Sequence, residues 1–169
     1  MVIWLIGLSG AGKTTLGRAL YERMKPQLPN LVLVDGDEFR EVMGNDIGFT
    51  YEDRLKNAER FSKFCRFLDK QGIHLICCVL SNFPDWQKWN RENLSEYYEI
   101  FVDTNIDILA QRDIKNIYAR ARRGEAKNVV GYDIPFIKPN AHLVVNNDEV
   151  RVDVTPLVDK IINNLPKLS

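Results

Sequence analysis

Net charge is what this chain most plainly lacks, since 23 Lys and Arg offset 23 Asp and Glu. Without a global field, nothing draws the whole chain to nucleic acid or to an anionic membrane, and any electrostatic work must be local. Cysteine and histidine are scarce, at three and two residues. Cys65, Cys77 and Cys78 form an odd count in apolar surroundings, which argues against a disulfide framework and for a reducing compartment. No second Cys or His pair stands at ligand spacing, so a structural metal is not expected. Cys77 and Cys78, within IHLICCVL, read as small hydrophobes. His74 and His142 fall in strand-like runs without spaced partners and read as structural. Long hydrophobic runs are absent too: the longest, around residues 73–80, is far too short for a bilayer. No basic segment with a cleavage site is recognisable, so a cytoplasmic chain without a membrane partner is expected.

What is present is an alternation. Apolar, β-rich runs at 2–6, 31–35, 73–80, 98–103 and 142–146 are separated by helical patterns near 13–25, 37–43, 52–71, 84–95, 105–112 and 153–164. The runs are continuous rather than alternating in and out, which suits strands buried on both faces of a parallel sheet. Phe61, Phe64, Cys65 and Leu68 recur at helical spacing and mark a core-facing stripe. A length of 169 residues, 45% of them apolar, suits one α/β domain over 1–169 with a mainly parallel five-stranded sheet between helical layers. The one interruption, about 114–140, is basic and contains Gly and Pro. A stretch that long without strands reads as a mobile lid, with a short helix at 117–123.

Gly7-x-x-x-x-Gly12-Lys13-Thr14, within GLSGAGKTT, is a complete phosphate-binding loop placed after a strand and before a helix. Gly7, Gly10 and Gly12 let backbone N–H groups face phosphate oxygens, helped by the helix N-terminus. Lys13 is expected to reach the β/γ-phosphates and Thr14 to ligate Mg²⁺. Guanine-specific switches carry an Asn-Lys-x-Asp base reader that is missing here, which favours ATP. A motor ATPase would need a larger chain. A small-molecule kinase remains, with a non-catalytic nucleotide sensor as the alternative.

The second run ends in VDGDEFR (34–40), placing Asp35 and Asp37 at the carboxyl edge of the sheet, where open α/β folds bind ligands. Asp37 could polarise an acceptor hydroxyl or organise the metal's water shell, and Arg40 could grip an anion. Arg54, Asn57 and Arg60 are spaced by three and are expected to share one helix face. A solvated face would give the same pattern.

GLSGAGKTT, VDGDEFR, DIGFTYEDRLKNAER (46–60) and QRDIKNIYARARRGEAKN (111–128) occur in order, and together they resemble the successive motifs of adenylylsulfate (APS) kinase over nearly the whole chain. The resemblance implies the P-loop kinase fold, a three-layer sandwich with a lid, and a homodimer. The implied reaction transfers the γ-phosphoryl of MgATP to the 3′-hydroxyl of a nucleotide bearing a small group on its 5′-phosphate. It implies Asp37, Lys13, Ser81 and Lys115 as catalytic residues. On the ATP side it implies Gly7, Ser9, Gly10, Ala11, Gly12, Lys13, Thr14, Thr15 and Arg112. On the acceptor side it implies Asp35, Arg40, Phe49, Arg54, Asn57, Arg60, Ser81, Asn82, Lys115 and Val129. Phe49 matches an aromatic that stacks on the acceptor base, and Lys115 a lid lysine.

Three departures fall on the acceptor side. Where APS kinases read Asn-Phe-Thr-Gly, this chain has Asn128-Val129-Val130-Gly131, so one of the two aromatics enclosing adenine is gone. Ser-Pro-Tyr-Arg becomes Ser81-Asn82-Phe83-Pro84, followed by Trp86 and Trp89, which read as core or dimer contacts. Lys-Gly-Leu-Tyr becomes Lys115-Asn116-Ile117-Tyr118. An intact donor loop beside a rebuilt acceptor pocket resembles the branch that phosphorylates cytidine diphosphoramidate in bacterial capsule modification. Ordinary APS kinase activity is the alternative.

Overall fold

The run VIWLI folds as β1 (Val2–Ile6) and is buried at every position. Its side chains alternate between two cores, as strand geometry requires. Ile3 and Leu5 enter one cluster, while Val2, Trp4 and Ile6 enter the other. A strand with apolar groups on both faces needs covered neighbours on both edges, and β1 has β3 (His74–Val79) on one side and β4 (Tyr97–Asp103) on the other. β2 (Leu31–Asp35) and β5 (Leu143–Asn146) complete a five-stranded sheet in the order β2-β3-β1-β4-β5, every pairing parallel. These features come from a computed structural model that describes residues 1–113, 116–149 and 153–166.

Helix α1 (Lys13–Met24) and helix α7 (Thr155–Asn164) cover one face, with Leu16, Leu20, Val158 and Ile161 buried against Ile3 and Leu5. α2 (Gly36–Val42), α3 (Tyr51–Asp69) and α4 (Pro84–Asn93) cover the other, where Phe39, Phe61 and Cys65 meet Trp4. Gly17 permits the close approach of α1, because a Cβ there would lie 2.3 Å from the Cys78 sulfur. α5 (Ile106–Arg112) and the six-residue α6 (Ile117–Arg122) follow β4. Among the described residues, no helix is long and apolar enough to cross a membrane.

Two expectations are refined. Burial on both faces holds for β1, β3 and β4, but β2 and β5 are edge strands whose Val32 and Val144 are exposed. Their apolar runs reflect β-propensity at an edge as well as burial. The interrupted region is also less bare than its composition suggests. Tyr118, Ala121, Val129 and Val130 are buried in the same cluster as Leu8 and Leu109.

Candidate active site

The phosphate-binding loop connects β1 to α1, and α1 starts from Gly12 at φ 93° with no side-chain cap. Its first N–H groups are therefore directed outward for a ligand, at the positive end of a twelve-residue helix. Glycine is required here, since a Cβ on Gly12 would lie 2.5 Å from Asn147 Nδ2. Likewise, one on Gly7 would meet the Val102 carbonyl at 2.7 Å. Gly7 and Ala11 thus shape the loop from the buried side, while Ser9, Gly10, Gly12, Lys13, Thr14 and Thr15 line a cavity of about 570 Å³.

Hydrogen bonds hold this loop in form. Asn147 Nδ2 donates to the Ala11 carbonyl at 2.9 Å, and Thr104 Oγ1 to the same oxygen at 3.4 Å. Lys13 Nζ donates to the Leu8 carbonyl at 2.8 Å. Thr14 Oγ1 donates to Asp35 Oδ2 at 2.6 Å, while Asp35 Oδ1 accepts the Asp37 N–H at 2.9 Å and caps α2. Asp35, which also lines the cavity, therefore ties the loop to the start of α2. A hydroxyl beside a buried carboxylate, at a phosphate-directed helix end, fits a hard oxygen-seeking cation such as Mg²⁺.

Asp37, Arg40, Phe49, Arg54, Asn57, Ser81, Asn82 and Val129 line the same cavity. Arg40 Nη1 donates to the carbonyls of Ile47 and Gly48, and Arg54 to those of Phe49 and Asn128. Both guanidinium groups lie over the Phe49 ring, at 4.8 and 5.4 Å from its centroid. Burial lowers the pKa of both, and each of the pair feels a like charge: Arg54 that of Arg40, Arg40 that of Arg60. An anion between them would relieve this. Val129 is buried, its N–H bonded to the Asp133 carboxylate. Asn82 donates to the Pro135 carbonyl at 2.9 Å and accepts the Ile137 N–H at 2.7 Å, so it holds the segment after Val129 against β3. Ser81 takes a left-handed φ of 51° and receives Gln87 Nε2 on its carbonyl.

Two assigned residues are directed elsewhere, and a third is not described. Arg60 does not line the cavity and instead clasps Asp46 through two bonds of 2.7 and 3.0 Å. Arg112 is turned to the carbonyls of Asp148 and Glu149, at 2.9 and 2.8 Å. Lys115 lies outside the described residues.

Other lining residues were not expected at the site from the sequence. Trp4, Phe61, Ser62, Phe83 and Asn90 are buried and line it as well, joined by half-buried Trp86. Trp89 packs against Trp86 with the rings tilted by 57°, at 5.3 Å between ring centres, without lining the cavity. Cys78 also lines it, but burial pushes its thiol pKa up to about 12, so it is a neutral wall rather than a nucleophile. Asn147 and Thr104, which anchor the loop, were equally invisible.

Residues 1–146 match the family model described as adenylylsulphate kinase. The cytidine diphosphoramidate kinase of Campylobacter jejuni subsp. jejuni serotype O:2 is 43% identical over 164 residues, covering 97% of this chain and 95% of that protein. An adenylyl-sulfate kinase of Paraburkholderia xenovorans is 39% identical over 166 residues, covering 97% and 92%. In three dimensions, the Mycobacterium tuberculosis APS kinase CysC, solved with AMPPNP and APS, superposes with a TM-score of 0.85 at 27% identity, over 97% of this chain and 96% of that one. With a phosphate-binding loop facing a carboxylate and an arginine pair across one cavity, the chain belongs to the adenylylsulphate kinase family.

Proposed function

We propose that this ATP-dependent nucleotide kinase phosphorylates the 3′-hydroxyl of a nucleotide carrying a small group on its 5′-phosphate, with cytidine diphosphoramidate as the preferred acceptor. The observation that carries this reading is the asymmetry of the cavity. The donor loop is complete, whereas Val129 stands in the lining where APS kinases place an aromatic. The relative named for cytidine diphosphoramidate, at 43% identity, supports the same choice. The product would serve capsular polysaccharide phosphoramidate assembly in the cytoplasm.

In this reaction the backbone N–H groups of the loop cradle the ATP phosphates. Lys13 leaves the Leu8 carbonyl for the β/γ-phosphate oxygens. Thr14 would hold Mg²⁺ with Asp35 orienting its hydroxyl, and the ion would neutralise phosphate charge when bound. Asp37 takes the proton of the 3′-hydroxyl. The new O–P bond forms as the β–γ bridging P–O bond breaks and ADP departs. Arg40 and Arg54 hold the anionic tail. Ser81 stands beside the transferred group, and Lys115 closes over the phosphates from a lid spanning about 114–140. Most of the acceleration is positioning and charge neutralisation.

Steady-state turnover with cytidine diphosphoramidate and adenylylsulfate side by side tests the acceptor. A much higher kcat/KM for adenylylsulfate would overturn it and establish the second reading, ordinary APS kinase, which the 39% identical adenylyl-sulfate kinase favours. We also propose a homodimer, which a solution mass measurement checks.

A further inference from the structure

Val129 lines the cavity, yet neither a helix nor one of the five strands carries it. Its place is set instead by bonds within a short knot of chain. The Val129 carbonyl accepts the N–H groups of Tyr132, Asp133 and Ile134 at 3.0, 3.1 and 3.1 Å, and the Gly131 N–H donates to the Ile134 carbonyl at 2.8 Å. Asn128, just before it, takes a left-handed φ of 61°, which a residue other than glycine adopts only where its surroundings support it. That support comes from Asp133. One of its carboxylate oxygens accepts the Asn128 N–H at 2.7 Å, and the other accepts the Val129 N–H. Two successive N–H groups converging on one anion form a nest, and here the chain supplies its own anion.

The peptide unit between Asn128 and Val129 is held from both sides. Its N–H, that of Val129, is bonded to Asp133. Its carbonyl, that of Asn128, accepts from Arg54 Nη2 at 2.8 Å. In a trans peptide these two bonds leave in opposite directions, so together they fix the plane of the unit. Arg54 also donates through Nε to the Phe49 carbonyl at 3.0 Å, and its guanidinium lies 5.4 Å from the centre of the Phe49 ring. A continuous chain of contacts thus runs from Asp133 through this peptide and Arg54 to Phe49. It joins the two residues on which the acceptor reading places the base. Asp133 itself is exposed and is not part of the cavity lining.

We propose that Asp133 is a positioning residue for the acceptor, setting the Asn128–Val129 peptide and, through it, the Val129 wall and the Arg54 strut of the base site. This assignment rests on the nucleotide-acceptor reading above. It carries a sign that a bystanding surface charge would not. The negative charge of Asp133 reaches Arg54, where it offsets part of the effect of burial. Acting as a charge alone, Asp133 would weaken the hold of Arg54 on an anionic tail, and its removal would improve acceptor binding. Acting as a positioning group, its removal must impair that binding.

The test is steady-state kinetics of Asp133→Ala and Asp133→Asn with cytidine diphosphoramidate and with adenylylsulfate. With whichever acceptor the wild type uses better, Asp133→Ala should raise the acceptor KM about 10-fold, with kcat falling less and the KM for MgATP unchanged. Asp133→Asn loses the charge but keeps one accepting oxygen, so its KM should rise only about 3-fold. Combined with Val129→Ala, Asp133→Ala should raise the KM by less than the product of the two single effects, because both act at one wall. If the alanine variant does not fold, the asparagine variant decides by the same signs. An acceptor KM that falls or stays level in the deciding variant, a fully multiplicative double variant, or an equal rise in the KM for MgATP would overturn the proposal. So would failure of both variants to fold by circular dichroism, which would make Asp133 a residue of general stability. A wild type that prefers adenylylsulfate removes the cytidine assignment, while the same pattern measured on adenylylsulfate supports Asp133. A wild type that phosphorylates neither compound removes the proposed reaction and this assignment with it.

Discussion

The two halves of the cavity are built on opposite principles. On the donor side the loop is closed upon itself: Lys13 bonds Leu8, Thr14 bonds Asp35, and buried Asn147 fixes Ala11. On the acceptor side two partly buried guanidiniums lie over one ring, and among the described residues two buried polar atoms of the lining side chains are unpaired. The difference follows from the ligands. A triphosphate is the same in every kinase, so its cradle can be rigid backbone written in a short motif. An acceptor varies, so its site is assembled from side chains scattered over β1, α2, α3 and α4. It stores electrostatic and desolvation cost until the substrate arrives.

The sharpest way to break this contrast is to disable one member of each half's chemistry. Lys13→Ala should lower kcat by about 10³-fold, and Asp37→Ala by about 10²- to 10⁴-fold. Both should unfold cooperatively near the wild-type midpoint, since neither side chain belongs to the hydrophobic core. Rapid-quench kinetics with circular dichroism measures both. Near-normal turnover in either variant removes the role given to that residue.

Arg54→Ala sharpens the comparison at the next scale. The acceptor KM should rise about 10- to 100-fold, while the KM for MgATP stays put. Stability should change little, because bonds to the Phe49 and Asn128 carbonyls are lost while the repulsion from Arg40 is relieved. A parallel rise in the KM for MgATP would show that the halves are not independent.

Val129→Phe is a smaller change. It restores the aromatic typical of APS kinases, and use of adenylylsulfate should improve by only a few fold. Val129 is 7% exposed and packed in the main cluster, so the larger ring should also destabilise the fold by about 1–3 kcal/mol. Adenylylsulfate kinetics and thermal unfolding measure the two effects.

The same asymmetry explains what could be read in advance. The strands and the donor loop were legible because their signals are local: apolar runs of about five residues and a glycine spacing that only one backbone shape requires. Trp4 was not legible, since inside VIWLI an indole that lines a cavity looks like one that fills a core. Asn90, in WQKWNREN, looks like the polar face of a surface helix until Tyr97 and Glu99 are seen behind it. Arg60 diverges for a geometric reason. At about 100° per residue, two three-residue steps rotate it some 120° away from Arg54, toward Asp46 and away from the cavity. Arg112 lies in a motif that names it but not its direction, and its guanidinium ends on the backbone after β5.

The smallest expected effect concerns acid. His142 Nδ1 accepts the Glu99 N–H at 2.9 Å, and the ring stacks on Tyr98 at 5.0 Å. Burial, and then the charge of Arg91, hold its pKa below the ordinary value of 6.5. Because the folded pKa is the lower one, the unfolded chain takes up the proton first as pH falls. The stability contribution is therefore complete above the ordinary value and is lost as pH falls from there through the lower folded pKa. His74 shifts in the same direction, chiefly through burial, and these are the only two histidines in the sequence. The unfolding midpoint should decline by a few degrees between pH 7 and pH 5.5. His142→Phe, which keeps the stacking and removes the titration, should flatten part of that slope, although losing the acceptor for the Glu99 N–H lowers the midpoint throughout.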